Sequence, residues 1–322
     1  MTDIRIAQRL TSAEVGEVLT LVRLATEEDG VAPLSEHVML HLRYGGDRQA
    51  RNVLLTEAGG IVGYAHLDPT DPVAGPSGEL VIHPAHRRHK LGLALVQALT
   101  AEAGDRQLRL WAHGDLPAAS RLARSAGFER VRALWQMRRS LQAQLDRPQI
   151  AEGITVRTFV IGRDEDEWTA LNRRAFATHP EQGAWTRADL DLREQEPWFN
   201  PEGFFLAERA GRLVGFHWTK IHGQDGEDSE EIGHAHQAIG EVYVVGVDPT
   251  ERGSGLGRAL TLVGLRYLRS RGLFQVMLYV DESNTPAIRL YESLGFTHWD
   301  TDVMFARGGA QARREGVAAA GP

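Results

Sequence analysis

VIHPAHRRHKLGLALV at Val81–Val96 and GVDPTERGSGLGRALT at Gly246–Thr261 are one passage written twice. Each runs from an apolar strand through a proline-containing turn and an arginine-bearing loop into a helix rich in leucine and alanine. Such self-similarity is the signature of a duplicated domain. Other pieces repeat in the same order. Upstream, Ile61-Val62-Gly63-Tyr64 answers Leu213-Val214-Gly215-Phe216; downstream, Ala119-Ser120-Arg121-Leu122 with Gly127-Phe128 answers Ala287-Ile288-Arg289-Leu290 with Gly295-Phe296. Each copy therefore tests the other, and chemistry kept in one copy alone marks the working site.

Outward from the repeat, each half opens on a short strand, Ile4-Arg5-Ile6 or Ile154-Thr155-Val156, followed by helical periodicity. The first helix has a capping-box start at Thr11-Ser12-Ala13-Glu14. Hairpins follow: Asn52–Thr56 with Ile61–Leu67 around Ala58-Gly59-Gly60, and Phe204–Glu208 with Arg212–Trp218 around Ala210-Gly211. Each half then gives a strand, the repeated loop and helix, a buried strand, a second helix and a last strand after Gly-Phe. This order predicts an α/β (α+β) fold with two tandem domains, each a central, mostly antiparallel mixed sheet flanked by helices. The expected division is a first domain over 1–140, a polar linker over 141–153 containing Pro148, a second domain over 154–307 and a frayed tail over 308–322.

A chain of 322 residues is long enough for each domain to bury its own core. The absence of cysteine excludes disulfides, a thiolate nucleophile and thiolate metal sites. A net charge of −7 argues against nucleic acid as the main partner. No apolar run approaches the roughly 20 residues of a membrane span, and MTDIRIAQRL lacks the apolar core of a secretory signal. A cytoplasmic, monomeric protein is expected, bound neither to nucleic acid nor to membrane. His234-Ala235-His236, with His222 nearby, lies in an acidic, glycine-bearing stretch and reads as solvated loop, so no metal is expected.

In Arg252-Gly253-Ser254-Gly255-Leu256-Gly257-Arg258, small residues between strand and helix leave backbone N–H groups free to converge on an anion. A dinucleotide-binding turn would need glycine where Arg258 stands, and a Walker loop would need Gly-Lys-Ser/Thr. Together with Val245-Gly246-Val247-Asp248-Pro249, Asn284-x-x-Ala287 and Tyr291-x-x-x-Gly295-Phe296, this loop resembles the GNAT acetyltransferase superfamily. The resemblance implies that acetyl-CoA is the co-substrate, with its pyrophosphate on the Arg/Gly loop and its thioester carbonyl on the strand before it. It also implies that the tyrosine after the asparagine protonates the departing thiolate. Acyl transfer to an amine does call for an oxyanion donor, a base and an acid.

Aligning the copies on Gly92 and Gly257 sets Lys90 against Gly255; aligning on Gly-Phe sets Ala123 against Tyr291 and Leu116 against Asn284. The strand alignment sets Pro76 against Glu241. Neither alanine nor proline moves a proton, so catalysis is expected in the second half only. Glu241, at the start of a strand, is the candidate base and Tyr291 the candidate acid. An α-amino group of pKa about 8 is deprotonated near neutral pH for about 1 kcal/mol, a task a glutamate can perform. A tyrosine near 10 is a weaker acid than a thiol near 8.5, so the acid role requires the site to lower its pKa.

Tandem halves with a degenerate first copy, with GEVYVVGVDP at Gly240–Pro249 and LYVDESNTPAIRLYESLGF at Leu278–Phe296, resemble the mycothiol synthases of actinobacteria over nearly the whole chain. That resemblance implies acetylation of the cysteinyl amine of desacetylmycothiol, a Cys–glucosamine–inositol conjugate. It places acetyl-CoA on Val245, Gly246 and Val247, on Arg252, Gly253, Ser254, Gly255, Leu256, Gly257 and Arg258, and on Asn284, Thr285, Pro286, Ala287, Ile288 and Arg289. A second CoA site would use Leu80, Val81 and Ile82 with Arg87, Arg88, His89, Lys90, Leu91, Gly92 and Leu93 of the first half. Lys90 can offset phosphate charge but lacks the close backbone approach of glycine. The acceptor would meet Glu36, Glu181, Lys220, Glu241 and Tyr279. A role for Glu36 would require the halves to face each other across a shared cleft. The residues alone leave open another small amine or a protein N-terminus as acceptor, and a CoA-binding regulator without turnover.

Overall fold

The computed structural model describes residues 2–45, 49–71, 75–177, 180–183, 185–223 and 238–307. His234 and His236 lie outside the described residues, as does the tail from residue 308. Contacts divide the described residues into two compact units: those within 2–134 together with 300–307, and those within 135–299.

The first unit begins with β1 (Thr2–Ala7), α1 (Ser12–Asp29) and α2 (Glu36–Tyr44). The capping box is present, Thr11 and Glu14 satisfying each other's backbone N–H. β2 (Arg51–Glu57) and β3 (Gly60–Asp68) form the expected antiparallel hairpin, with Ala58 and Gly59 both at positive φ, the twist that suits a two-residue loop. β4 (Ser77–Ile82) is antiparallel to β3; after α3 (Leu91–Ala103), β5 (Arg109–Ala112) lies parallel to β4. α4 (Pro117–Ser125) follows. The chain's last strand, β12 (Thr297–Arg307), supplies Val303–Ala306 as the antiparallel neighbour of β5.

Alternation along the strands sorts this core into two layers. Val53, Leu55 and Ala65 pack under α3 through Leu91, Leu95, Val96 and Leu99, joined by Val303 and Phe305. Leu54, Tyr64 and Val81 point the other way, onto Val18, Leu21, Val22 and Ala25 of α1.

In the second unit, β7 (Ile154–Thr158), β8 (Phe204–Arg209), β9 (Arg212–His222) and β10 (Ile239–Val247) are antiparallel neighbours, and β11 (Gln275–Asp281) is parallel to β10. Beyond β11 lie residues from Trp135 of β6 (Phe128–Ser140). α5 (Glu165–Ala175), α6 (Pro180–Gly183) and α7 (Arg187–Glu194) precede β8; α8 (Leu256–Ser270) and α9 (Thr285–Ser293) flank β11 in sequence. One face packs Leu262, Leu265 and Leu268 of α8 and Ile288 of α9 on Val276, Leu278 and Val280. Leu141 and Leu145, from the polar stretch after β6, are buried in the same cluster. The other face buries Trp168 among Leu190, Phe204, Phe216 and Trp218, with the Phe204 and Trp218 rings stacked at 4.5 Å. The α/β fold read from the sequence is present in both units.

Candidate active site

The turn between β10 and α8 is built by Asp248, whose Oδ1 accepts from Thr250 N at 3.1 Å and whose Oδ2 accepts from Arg174 Nε at 2.9 Å. Against the cost of burial, these bonds hold its carboxyl down at about 2. The Asp-Pro of the repeated passage thus shapes the turn that presents the loop. Gly253 and Gly255 follow with φ of 81° and 80°, and a Cβ at either would meet nothing within 4 Å. The left-handed backbone, rather than crowding, is what demands glycine there. No side chain of the capping residue Gly255 closes the start of α8; Ser254 Oγ accepts from Leu256 N at 3.3 Å, while the N–H groups of Gly257 and Arg258 belong to the first turn, which has no intrahelical partners. Arg252 is exposed, and Arg258 donates to Ser293 Oγ at 2.7 Å and Asp146 Oδ2 at 2.9 Å. This is a fitting cradle for a diphosphate: free N–H groups, a positive helix end and two guanidinium groups.

Upstream, β10 and β11 pair only over Gly240–Val242 and Val276–Leu278. On its other edge, β10 shifts register against β9 between Val242 and Val244, so Tyr243 is an extra residue. Past the bulge, Val245, Gly246 and Val247 keep β9 as a partner but lie beyond the ladder to β11.

Glu241 sits immediately before this parting and is 7% exposed. Lys220 on β9 and Met277 on β11 are its register partners. Nε2 of His222 lies 2.7 Å from Glu241 Oε2. The Lys220 ammonium stands 4.3 Å from the Trp198 ring centroid and 5.6 Å from that of Tyr243, a cation held against aromatic faces. Tyr279, two residues beyond Met277, accepts a hydrogen bond from Gln136 Nε2 at 2.7 Å.

Tyr291 on α9 is half-buried against the helix-side core, its ring 5.8 Å from Phe296. Burial pushes its hydroxyl up to about 12, the opposite of the lowering that the acid role calls for. Asn284 caps α9, its Oδ1 accepting from Ala287 N at 3.3 Å, with Thr285 and Pro286 opening the helix, Ile288 buried and Arg289 exposed. Glu181 falls in α6, and its side chain lies outside the described ones; Glu36 opens α2 of the first unit.

The first unit keeps the frame and changes the chemistry. Leu80, Val81 and Ile82 end β4, and Leu91, Gly92 and Leu93 open α3. Lys90 occupies the capping position at φ 64°, and Arg88 is also left-handed at φ 70°. A side chain in that region costs about 1–2 kcal/mol relative to glycine. The Arg87 guanidinium grips Asp29 with two bonds, 2.6 and 2.7 Å, and donates to Ile82 O. Ala123 is buried core, and Leu116 caps α4 without a side-chain bond.

One alignment is corrected. Leu110 pairs with Gly78 as Leu278 pairs with Val242, and Arg109 pairs with Ser77 as Met277 pairs with Glu241. Ser77, not Pro76, therefore stands opposite Glu241. The bulge in β10 causes the slip, since β3 and β4 pair without a register shift.

Sequence reading missed two associations. His222 entered only as a neighbour of the histidine pair, yet it bonds Glu241. In the first unit, His113 Nδ1 lies 2.9 Å from Asp302 Oδ2, and its Nε2 lies 3.6 Å from Glu79 Oε2. Burial alone would lower the imidazole pKa, but the two carboxylates overcome it and raise it to about 10. Among the described residues, no group of histidines and carboxylates could hold a metal ion, and no helix is long and apolar enough to cross a membrane.

Residues 166–296 match the acetyltransferase (GNAT) family, and residues 49–130 match an acetyltransferase (GNAT) domain. A mycothiol acetyltransferase of Acidothermus cellulolyticus is 59% identical, covering 96% of this chain and 95% of its own. That of Streptosporangium roseum is 56% identical over 93% of this chain and 97% of its own. The chain belongs to the mycothiol acetyltransferase family. It is an N-acetyltransferase with two GNAT domains, and acetyl-CoA is its acyl donor. Among solved structures, a GCN5-related N-acetyltransferase from Sphaerobacter thermophilus aligns with a TM-score of 0.66 at 27% identity, covering 96% of each chain. A tandem GNAT protein from the clavulanic acid biosynthesis pathway aligns at 0.70 over 95% of this chain and 98% of its own; at 20% identity it shows the fold alone. The resemblance read from the sequence is borne out at the level of family and reaction class.

Proposed function

We propose that the chain transfers the acetyl group of acetyl-CoA to the cysteinyl amine of desacetylmycothiol, giving mycothiol and CoA, with catalysis confined to the second unit. The observation that carries the assignment is Glu241, buried where β10 and β11 part and hydrogen-bonded to His222. Family membership, through close relatives of that name, supports the acceptor. A net charge of −7 without basic excess suits a small-molecule acceptor rather than nucleic acid, and a cytoplasmic monomer is part of the same proposal.

Glu241 takes the proton of the incoming amine, and His222 fixes the carboxylate and gives the proton a way outward. The backbone past the bulge, Val245 to Val247, offers N–H groups to the thioester oxygen as negative charge gathers on it. The amine nitrogen bonds to the carbonyl carbon, the C–S bond breaks, and the electron pair leaves on sulfur. With its pKa near 12, Tyr291 stays protonated and stabilises that sulfur as a hydrogen-bond donor. Complete proton transfer to a thiolate of pKa about 8.5 would be uphill by roughly 5 kcal/mol. Lys220 and Tyr279 flank the entering acceptor.

A competition assay tests the acceptor: equimolar desacetylmycothiol, a polyamine, an aminoglycoside and an N-terminal peptide with limiting acetyl-CoA. The proposal expects the label almost entirely in mycothiol; preference for another amine would overturn it.

A further inference from the structure

In the second unit, α5 packs on β9 and β10, and Trp168, Trp185 and Trp198 cover the sheet face that carries Trp218. Further along the sheet, beyond Glu241, large side chains are left open to solvent: Tyr279 is 41% exposed and Trp299 62% exposed. They are ends of one connected row. Gln136 Nε2 donates to the Tyr279 hydroxyl at 2.7 Å, Arg138 Nε donates to Gln136 Oε1 at 2.8 Å, and the Arg138 guanidinium lies 4.5 Å from the Trp299 ring centroid. Gln136, itself buried, is held at both ends of its carboxamide, which fixes the spacing of its neighbours. The row starts beside the base. Met277 is the register partner of Glu241, and Tyr279 is two residues further on, which puts its Cα about 8 Å from that of Glu241.

Resting on the acceptor class given above, we propose that Tyr279, Gln136, Arg138 and Trp299 form a subsite for the hydroxyl-bearing rings of the acceptor. A cyclohexitol or pyranose ring presents C–H groups on its faces and hydroxyls around its rim. Exposed aromatic faces, with their negative quadrupole, complement the first. A planar guanidinium, a carboxamide and a phenol complement the second, and arginine serves adjacent hydroxyls better than lysine because its donors form a fixed fork. The row thus selects for what the acceptor carries beyond its reacting cysteinyl group, and it makes Arg138 and Trp299 specificity residues outside the catalytic machinery.

Two acceptors sharing the α-amino nucleophile separate the roles: desacetylmycothiol, and cysteinamide, which lacks both rings. Trp299→Ala should raise KM for desacetylmycothiol about tenfold, the worth of one good aromatic contact, while kcat/KM for cysteinamide stays within about twofold. Trp299→Phe should recover most of the loss, and Arg138→Lys should also raise KM for the ring-bearing acceptor alone. Equal losses on both acceptors, or none on either, would overturn the subsite. Calorimetric binding of glucosaminyl-inositol, which has no cysteinyl amine, is read independently of turnover. It should weaken about tenfold in Trp299→Ala, and undiminished affinity would overturn the proposal. Failure of the wild-type chain to acetylate desacetylmycothiol would instead strike the proposed reaction, and glucosaminyl-inositol binding would still decide the subsite.

Discussion

In the proposed mechanism Glu241 serves the incoming amine and Tyr291 the departing sulfur, and each role predicts its own pH behaviour. Replacing Glu241 by Gln should lower kcat/KM about 100-fold, the usual worth of a positioned base. The deficit should be largest at low pH, where free amine is scarce, so a ratio of wild type to variant that is flat with pH would remove the base role. Tyr291→Phe should lower kcat with little change in acetyl-CoA affinity. Because burial raises the tyrosine to about 12, it remains protonated through pH 10, and kcat should show no downward limb below that pH. A limb near pH 9 that Tyr291→Phe abolishes would contradict this. In the first unit, His113 is cationic between buried Glu79 and half-buried Asp302, and deleting it leaves two neighbouring carboxylates without a counter-charge, held by the backbone N–H groups of Ser35 and Gly114. His113→Gln should cost about 3–5 kcal/mol of stability. The imidazole binds its proton more tightly folded than unfolded, so its contribution is complete below about pH 6.5 and fades as pH rises through about 10. The melting temperature of the wild type should fall over that window more than that of His113→Gln, as differential scanning fluorimetry at fixed ionic strength would show.

At the level of elements, strands, hairpins, the first helix cap and the glycine-rich turn before α8 were legible because each is specified within a few residues. Alternation set the two-layered cores, Ala-Gly pairs set the hairpin turns, and Thr11 with Glu14 set the start of α1. The bulge at Tyr243 was not legible, because one inserted residue leaves the apolar pattern of β10 intact and appears only when β9 pairs with it. Hence the misplaced Pro76. The associations of His113 with Asp302 and of His222 with Glu241 were also hidden, since they join residues that only the folded sheet brings together. The two loops give a matched pair of tests. Gly255→Ala imposes left-handed strain at the start of α8 and should cost about 1 kcal/mol while weakening acetyl-CoA binding. Lys90→Gly relieves the same strain before α3 and should stabilise the protein by a similar amount. Chemical denaturation of both variants would check the pair, and a loss of stability in Lys90→Gly would contradict the strain argument.

For the whole molecule, duplication has left two copies of one frame with unequal chemistry. Ser77 and Ala123 stand in the first unit where Glu241 and Tyr291 stand in the second, and Leu116 caps a helix where Asn284 does so in the other copy. The first copy instead holds a polar cluster of its own, buried Glu79 with half-buried His113 and Asp302. All turnover should therefore pass through the second unit, on one acceptor class. The most direct measurement is mass spectrometry, with the site of modification resolved, of wild type and Glu241→Gln incubated with acetyl-CoA and desacetylmycothiol. The account predicts a single acetyl group on the cysteinyl nitrogen, with the thiol free, formed by the wild type and strongly reduced in the variant. Acetylation elsewhere on the acceptor, or product formed equally well by Glu241→Gln, would contradict it.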